Sequence, residues 1–328
     1  MLPALTDLLP SARVVALPLV QRFRGITERE ALLFEGPEGW SEFSPFVEYD
    51  DEEASTWLRA SIDFGFSPAP PLLRDRIRVN ATLPAVPADD VPGVLGAFPG
   101  CRTVKVKVAE RGQGIADDVA RVAAARRFVG KEGRIRVDAN GAWNVDEAEH
   151  AVHALAGFDL EYLEQPCPTV EDLAEIRQRV KYLGIPVAAD ESVRRAADPL
   201  AVVEALAADL LVVKAQPLGG IRAALSLTAE AGLPVVVSSA LDTSIGLAMG
   251  AHLAAALPAL EFDCGLGTAA LLAADVTTDP LLPDDGGIPV RRPIADADLL
   301  DRYAASPERV RWWTDRLRRC YALIEAAG

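Results

Sequence analysis

Histidine is scarce in this chain. Only His150, His153 and His252 occur in 328 residues, all in stretches suited to helices, so they read as surface or structural residues and any metal centre must draw on other donors. Cysteine is nearly as rare. Cys101, Cys167, Cys264 and Cys320 are scattered without a Cys-x-x-Cys pair, which favours buried free thiols over disulfides or zinc. Basic charge is short as well: 33 Lys and Arg against 48 Asp and Glu give a formal net charge of −15. Phosphate binding needs a basic surface, so nucleic acid is not an expected partner. The longest uncharged apolar stretch, residues 245–260, is too short for a bilayer and contains His252 and Pro258. Residues 1–10 include Asp7 and lack a basic start followed by an apolar core, so no targeting signal is read there. A cytoplasmic enzyme is the expectation.

What the chain does have is a repeat of short apolar strands, each closed by a polar residue. The segments 103–108, 134–138, 160–164, 186–190, 209–214 and 234–239 are rich in Val, Leu or Ile, and they place Lys107, Asp138, Glu164, Asp190, Lys214 and Ser239 at gaps of 24 to 31 residues. That gap is about one strand plus one returning helix, so the repeat reads as parallel βα units closing into a barrel. Residues 76–82 supply a first strand and 260–264 a last, which makes the eight a barrel needs. The ends form a second module. Residues 13–17, 31–35 and 40–46 read as a meander with a turn at Gly36-Pro-Glu-Gly39, and 51–64 as a helix with an acidic start. Ser306-Pro307-Glu308 opens a last helix, expected to pack on that module. The fold class is therefore α/β, a (β/α)8-type barrel of residues 81–280 under an α+β cap built from 1–80 and 281–328.

At the strand ends of such a barrel, polar side chains meet at one mouth. Alternation along 103–108 turns Val104, Val106 and Val108 toward the helices and forces Lys105 and Lys107 inside. Two ammonium groups side by side lower each other's affinity for protons, which suits a lysine there to act as a base. Three carboxylates in one mouth, Asp138, Glu164 and Asp190, repel one another unless a divalent cation lies between them. Oxygen donors without histidine favour Mg²⁺, or Mn²⁺, over zinc. Lys214, four strands on from Lys107, falls on the opposite wall. A carbon acid held between them would have a base on each side and a metal for the anion.

Lys105-Val-Lys107, Val137-Asp-Ala-Asn140, Leu163-Glu-Gln-Pro166, Ala189-Asp-Glu-Ser192 and Val213-Lys-Ala-Gln-Pro217 resemble the motifs of the enolase superfamily, in its muconate-lactonizing subgroup. The likeness spans essentially the whole chain. It implies that Asp138, Glu164 and Asp190 are metal ligands, that Lys107 and Lys214 are the acid/base pair, and that Asn140 and Glu191 orient the ligands. Val79-Asn-Ala-Thr-Leu-Pro84, the segment Ser238 to Gly246 and Cys264-Gly-Leu-Gly-Thr268 are similar to those of actinobacterial o-succinylbenzoate synthases. That likeness implies dehydration of 2-succinyl-6-hydroxy-2,4-cyclohexadiene-1-carboxylate, a small-molecule dicarboxylate. Lys107 would take the α-proton and return it to the departing hydroxyl, with Lys214 as a fixed cation over the ring.

The second carboxylate of such a substrate needs a receiver. Candidates are Lys105, Ser239, backbone amides from Gly265 to Gly267, and a lid loop with Arg22, Arg24 and Gly25. Gly219-Gly220 reads as a turn. Racemases of N-succinylamino acids resemble the same site, so the two lysines leave racemization as the alternative activity. Dipeptide epimerases typically carry Asp-x-Asp at the eighth strand, where this chain has Asp263-Cys-Gly265. A metabolite-binding protein would not need paired bases. A scaffold would show a tail, a helical repeat or an exposed apolar stripe, none of which is visible.

Overall fold

The computed structural model describes residues 2–195 and 198–327. Seven parallel strands form one sheet in sequence order: β5 (Ala81–Leu83), β6 (Thr103–Lys107), β7 (Arg134–Asp138), β8 (Leu160–Glu164), β9 (Val187–Ala189), β10 (Leu210–Val213) and β11 (Val235–Val237). Helices Ile115–Val129, Val145–Leu155, Val170–Val180 and Ile221–Ala231 run between them, and Ser244–Ala256 follows β11. Single bridges Val79↔Cys264 and Ser238↔Gly265 close the sheet on itself. The barrel is thus seven strands and a short eighth stave.

Both outer strands differ from expectation. Residues 76–82 do not form one strand: Arg76–Arg78 (β4) pairs antiparallel with Gly287–Pro289 (β12), and only Ala81–Leu83 joins the barrel. Ile77 is buried while Arg76 and Arg78 face solvent, an alternation that suits a two-stranded edge rather than a barrel wall. Residues 260–264 form no strand. Cys264 and Gly265 alone bridge, because Gly265 sits so close to β11 that a Cβ there would stand 2.4 Å from Ser238 Oγ.

Inside and outside of the barrel follow the period-2 rule. Val104, Val106, Ile135, Val137, Leu163, Val187, Leu211 and Val213 belong to the large core shared with the helices. Tyr162, Ala188, Leu210, Val212 and Val236 form a separate cluster in the interior. Arg136 shares that interior fully buried, with Nη1 3.0 Å from Tyr162 Oη and Nη2 2.6 Å from Glu161. The apolar run noted above becomes the helix Ser244–Ala256, buried from Ser244 to Ala255 and packed against β11, the strand Gly39–Phe43 and the helix Ile221–Ala231. Among the described residues no helix is long and apolar enough to cross a membrane.

The chain ends build an antiparallel meander, β1 (Arg13–Phe23), β2 (Ile26–Gly36) and β3 (Gly39–Phe43), backed by Asp51–Phe66 and Pro307–Ala327. Asp50 caps the first helix by accepting from Glu53 N, and Ser306 accepts from Arg309 N at the second. Phe34, Phe43, Trp57, Trp313 and Leu317 fill the space between sheet and helices. The turn from β1 to β2, Arg24 (φ 49°) and Gly25 (φ 81°), hangs over the mouth of the barrel.

Candidate active site

The mouth is assembled by adjacent strands held in register. Lys107 lies opposite Asp138 on β7, and Asp138 opposite Glu164 on β8. Glu164 pairs with Ala188, so Asp190 stands two residues past that position, just beyond β9. Lys214 follows β10 and Ser238 follows β11. Phe23, Arg24, Lys107, Asp190, Lys214 and Ser239 line one cavity. Several residues there hold left-handed backbone conformations that side chains rarely adopt: Arg24 (49°), Asn140 (49°), Gln165 (38°) and Leu241 (64°). Such strain, concentrated where strands end, marks a site the surrounding packing has been built to hold.

The charged groups pair tightly. Lys105 Nζ is 2.5 Å from Glu164 Oε1 and 2.8 Å from Asp138 Oδ2. Lys107 Nζ is 2.5 Å from Asp138 Oδ2 and donates to Asn140 Oδ1 at 2.6 Å. Lys214 Nζ donates to both oxygens of Asp190 at 2.5 Å. Asn140 serves three groups, since its backbone N–H reaches Asp138 Oδ1 and its amide donates to Glu191 Oε1. Burial pushes the Asp138 carboxyl up, but Lys105 and Lys107 outweigh it and hold it well below the carboxylate range. Asp190 is likewise held low against burial by Lys214 and Arg194. The expectation that the neighbouring lysines would lower each other's proton affinity fails for Lys105. Burial lowers it, yet Asp138 and Glu164 raise it well above its ordinary value. Lys214 is lowered, by burial first, with Asp190 restoring only part.

Glu164 is the exception among the carboxylates. Burial, then the Asp138 charge, pushes it up to about 7, and its buried Oε2 has no partner among the described residues. Of its two oxygens only Oε1 is met by a cation, Lys105. Among the described residues no three His, Cys, Asp or Glu side chains gather around one point, because ammonium groups lie between the carboxylates. The donor set itself, oxygen only and from three neighbouring strand ends, fits a hard divalent cation. Asp138, Glu164 and Asp190 are the residues that could hold it.

The other candidates are placed as follows. Ser239 Oγ turns to Gly265 O at 2.9 Å and Thr268 Oγ1 at 2.8 Å, so Ser239 and Gly265 stand together at the mouth. The Arg24 guanidinium lies 4.4 Å over the Phe46 ring at the cavity wall. Arg22 is set further out, in an adjoining cavity with Arg111 and Gln113. Gly219 and Gly220 make a turn with φ of 84° and 120°.

The sequence reading missed two positioning groups. Arg194 donates to Asp190 Oδ1 at 3.1 Å, to Glu191 at 2.7 Å and to Tyr49 Oη at 3.0 Å. Its i+4 spacing from Asp190 on the helix Glu191–Arg194 was the available signal. The Gln165 amide accepts from Asp190 N at 2.9 Å and donates to Ser192 Oγ at 2.7 Å, tying the end of β8 to the end of β9.

Comparison with known proteins agrees with this architecture. Residues 97–293 match the family model described as enolase C-terminal domain-like, and residues 14–65 match enolase N-terminal domain-like. The o-succinylbenzoate synthase of Mycolicibacterium smegmatis is 53% identical over 98% of each chain. That of Mycobacterium tuberculosis is 53% identical over 98% of this chain and 97% of its own. Among solved structures, muconate lactonizing enzyme from Pseudomonas putida superposes with a TM-score of 0.74 at 20% identity, covering 90% of this chain and 98% of that one. N-succinyl Arg/Lys racemase from Bacillus cereus does so with 0.74 at 19%, covering 90% and 96%. At such low identity these two speak for the fold alone, whereas the mycobacterial relatives and the barrel model place the chain in the enolase superfamily, within the o-succinylbenzoate synthase family.

Proposed function

We propose that this chain is an o-succinylbenzoate synthase, removing water from 2-succinyl-6-hydroxy-2,4-cyclohexadiene-1-carboxylate to give o-succinylbenzoate in menaquinone synthesis. The observation that carries the reading is the 53% identity to mycobacterial o-succinylbenzoate synthases over nearly the whole chain, joined to a cavity lined by Lys107 at the end of β6, Lys214 after β10, and the carboxylates of Asp138 and Asp190. The cap comprises residues 1–80 and 281–328, the catalytic barrel 81–280. The enzyme works in the cytoplasm on a small dicarboxylate and uses Mg²⁺, or Mn²⁺.

In this reading the neutral amine of Lys107 takes the α-proton, and the C–H electrons move into the adjacent carboxylate as an enediolate. The resulting ammonium then gives its proton to the hydroxyl, which leaves as water as the ring becomes aromatic. Both transfers use one face, so one base suffices. Lys214, gripped by Asp190, keeps its charge and lies against the ring as a cation–π partner. A bound divalent ion, held by Asp138, Glu164 and Asp190, supplies positive charge opposite the developing anion. Arg194, Gln165, Asn140 and Glu191 keep those carboxylates in place. Lys105 neutralises Asp138 and Glu164 from within the barrel. Ser239, Gly265 and Arg24 receive the succinyl carboxylate, and Phe23 with Arg24 excludes water above it.

The test is an ultraviolet assay of the cyclohexadiene substrate with Mg²⁺, repeated with EDTA and with Lys107→Ala. Rapid loss of diene absorbance that needs both metal and Lys107 is the expected result. Absence of turnover would overturn the assignment, and α-proton exchange of N-succinylamino acids in D₂O would then point to a racemase.

A further inference from the structure

Lys214 lines a second, much smaller cavity, which it shares with Gln216, Ser238, Ala240 and Asp242. The pocket lies at the seam where the cap meets the barrel. A Cβ on Gly246 would stand 2.7 Å from Glu42 Cδ of β3 and 2.8 Å from Asp242 Cβ, so both acids crowd the same glycine. Gln216 is 4% exposed and Asp242 5%, yet both ends of the Gln216 amide, and Asp242 Oδ1, have no partner among the described residues. The neighbours are already engaged. Glu42 Oε2 accepts from Thr243 N, Thr243 Oγ1 and Gly246 N, while Arg29 donates from Nε to Leu241 O at 3.2 Å.

Few folded proteins leave three such atoms unmet in one place. A ligand that serves both residues through Gln216 Nε2 and Asp242 Oδ1 must accept from the first and donate to the second. A cation would be repelled by Lys214 and by the amide's donors, and an anion by Asp242. The space is small enough for a single solvent molecule, which makes two to four hydrogen bonds when buried. Lys214 has three N–H donors, and Asp190 takes two of them through Oδ1 and Oδ2.

We propose that Gln216 and Asp242 seat one buried water that accepts the third N–H of Lys214, making both side chains positioning residues for that ammonium. The inference rests on the reading of Lys214 as the cation facing the substrate ring. Anchored on three sides, the ammonium cannot swing away from the ring as the substrate turns over. Loss of the water leaves ground-state binding intact and weakens the stabilisation of the developing anion, so kcat falls while KM holds.

A high-resolution crystal structure of the full chain and of Gln216→Met tests this, together with steady-state kinetics. The expected result is ordered solvent within hydrogen-bonding distance of Gln216, Asp242 and Lys214, missing in the variant. The variant's kcat should then be about tenfold lower, with KM changed by less than about twofold. Should Gln216→Met fold poorly, Asp242→Asn and Asp242→Leu carry the test: the asparagine keeps an acceptor for the water and should lose distinctly less kcat than the leucine. A dry cavity in the wild type, an unchanged kcat in Gln216→Met, or equal losses in the two Asp242 variants would overturn the proposal. The solvent peak is read from density alone, so it remains decisive even if the diene is not turned over.

Discussion

Lys107 and Lys214 differ in what they touch, and that difference assigns their separate jobs. Lys107 has Asp138 and Asn140 as partners, whereas Lys214 is locked onto both oxygens of one carboxylate. A guanidinium keeps the charge at any ordinary pH but cannot accept a proton. Lys107→Arg should therefore cost about 10²- to 10⁴-fold in kcat. Lys214→Arg should retain a larger share, on the order of a tenth to a hundredth of the activity, since only its charge is needed for a cation–π contact. Equal losses would mean that Lys214 also transfers protons, as racemization requires. Arg194 gives a second prediction. It donates to the Asp190 and Glu191 carboxylates and to the Tyr49 hydroxyl of the cap. Arg194→Met should weaken Mg²⁺ binding by about 10- to 100-fold, read by calorimetry, with kcat largely restored when Mg²⁺ is raised. The strand-end residues were legible because each closes a short apolar run at a regular gap. Arg194 offered only its i+4 spacing from Asp190, while Gln165 and the Glu42–Asp242 contact left no local signal, because they join segments far apart in sequence that meet only in the fold.

At the scale of elements, the central six strands were legible because each is a continuous apolar run between helices. The outer segments were legible only in part: Ala81–Leu83 joins the barrel as expected, but 76–78 leaves it for β12 and 260–264 forms no strand. β4 finds its partner more than 200 residues away in β12, and Cys264 bridges Val79 across a similar distance, so their pairing leaves no local periodicity. The meander turn was legible from Gly36-Pro-Glu-Gly39, but its reason for glycine was not. A Cβ at Gly36 would stand 2.2 Å from Gly65 O of the helix Asp51–Phe66, and Glu38 N donates to that same carbonyl at 3.0 Å. Backbone meets backbone there, so no side chain can move aside. Gly36→Ala should destabilise the fold by about 1–3 kcal/mol, measured by urea unfolding. Gly112, with φ of 86° and nothing near its Cβ position, is the contrasting control for backbone strain without a clash.

For the molecule as a whole, a formal charge of −15 sits on a chain that also buries several acids, and three of these, Glu42, Asp138 and Asp190, make stability depend on pH. Glu42 lies in the cap–barrel seam facing Asp242, Arg29 and the hydroxyls of Ser44 and Thr243. Burial first, then the Asp242 charge, pushes its carboxyl from 4.5 up to about 7. A carboxyl raised in the folded state holds its proton after the unfolded chain has released it. Its contribution is therefore neutral below pH 4.5, where both states are protonated, and becomes unfavourable as pH rises from 4.5 to about 7. Asp138 and Asp190, held low, work the other way and lose their contribution only below pH 3.8. The two windows do not overlap. Glu42→Gln should accordingly gain stability relative to the wild type between pH 4.5 and 7, by on the order of 2–3 kcal/mol at pH 8, and gain nothing at pH 4. Urea unfolding of both proteins across that range, with EDTA present so that Glu164 contributes equally to each, measures the difference. Parallel stability curves would show that Glu42 binds its proton equally in the folded and unfolded chain, Arg29 and the seam hydroxyls offsetting the cost of its burial.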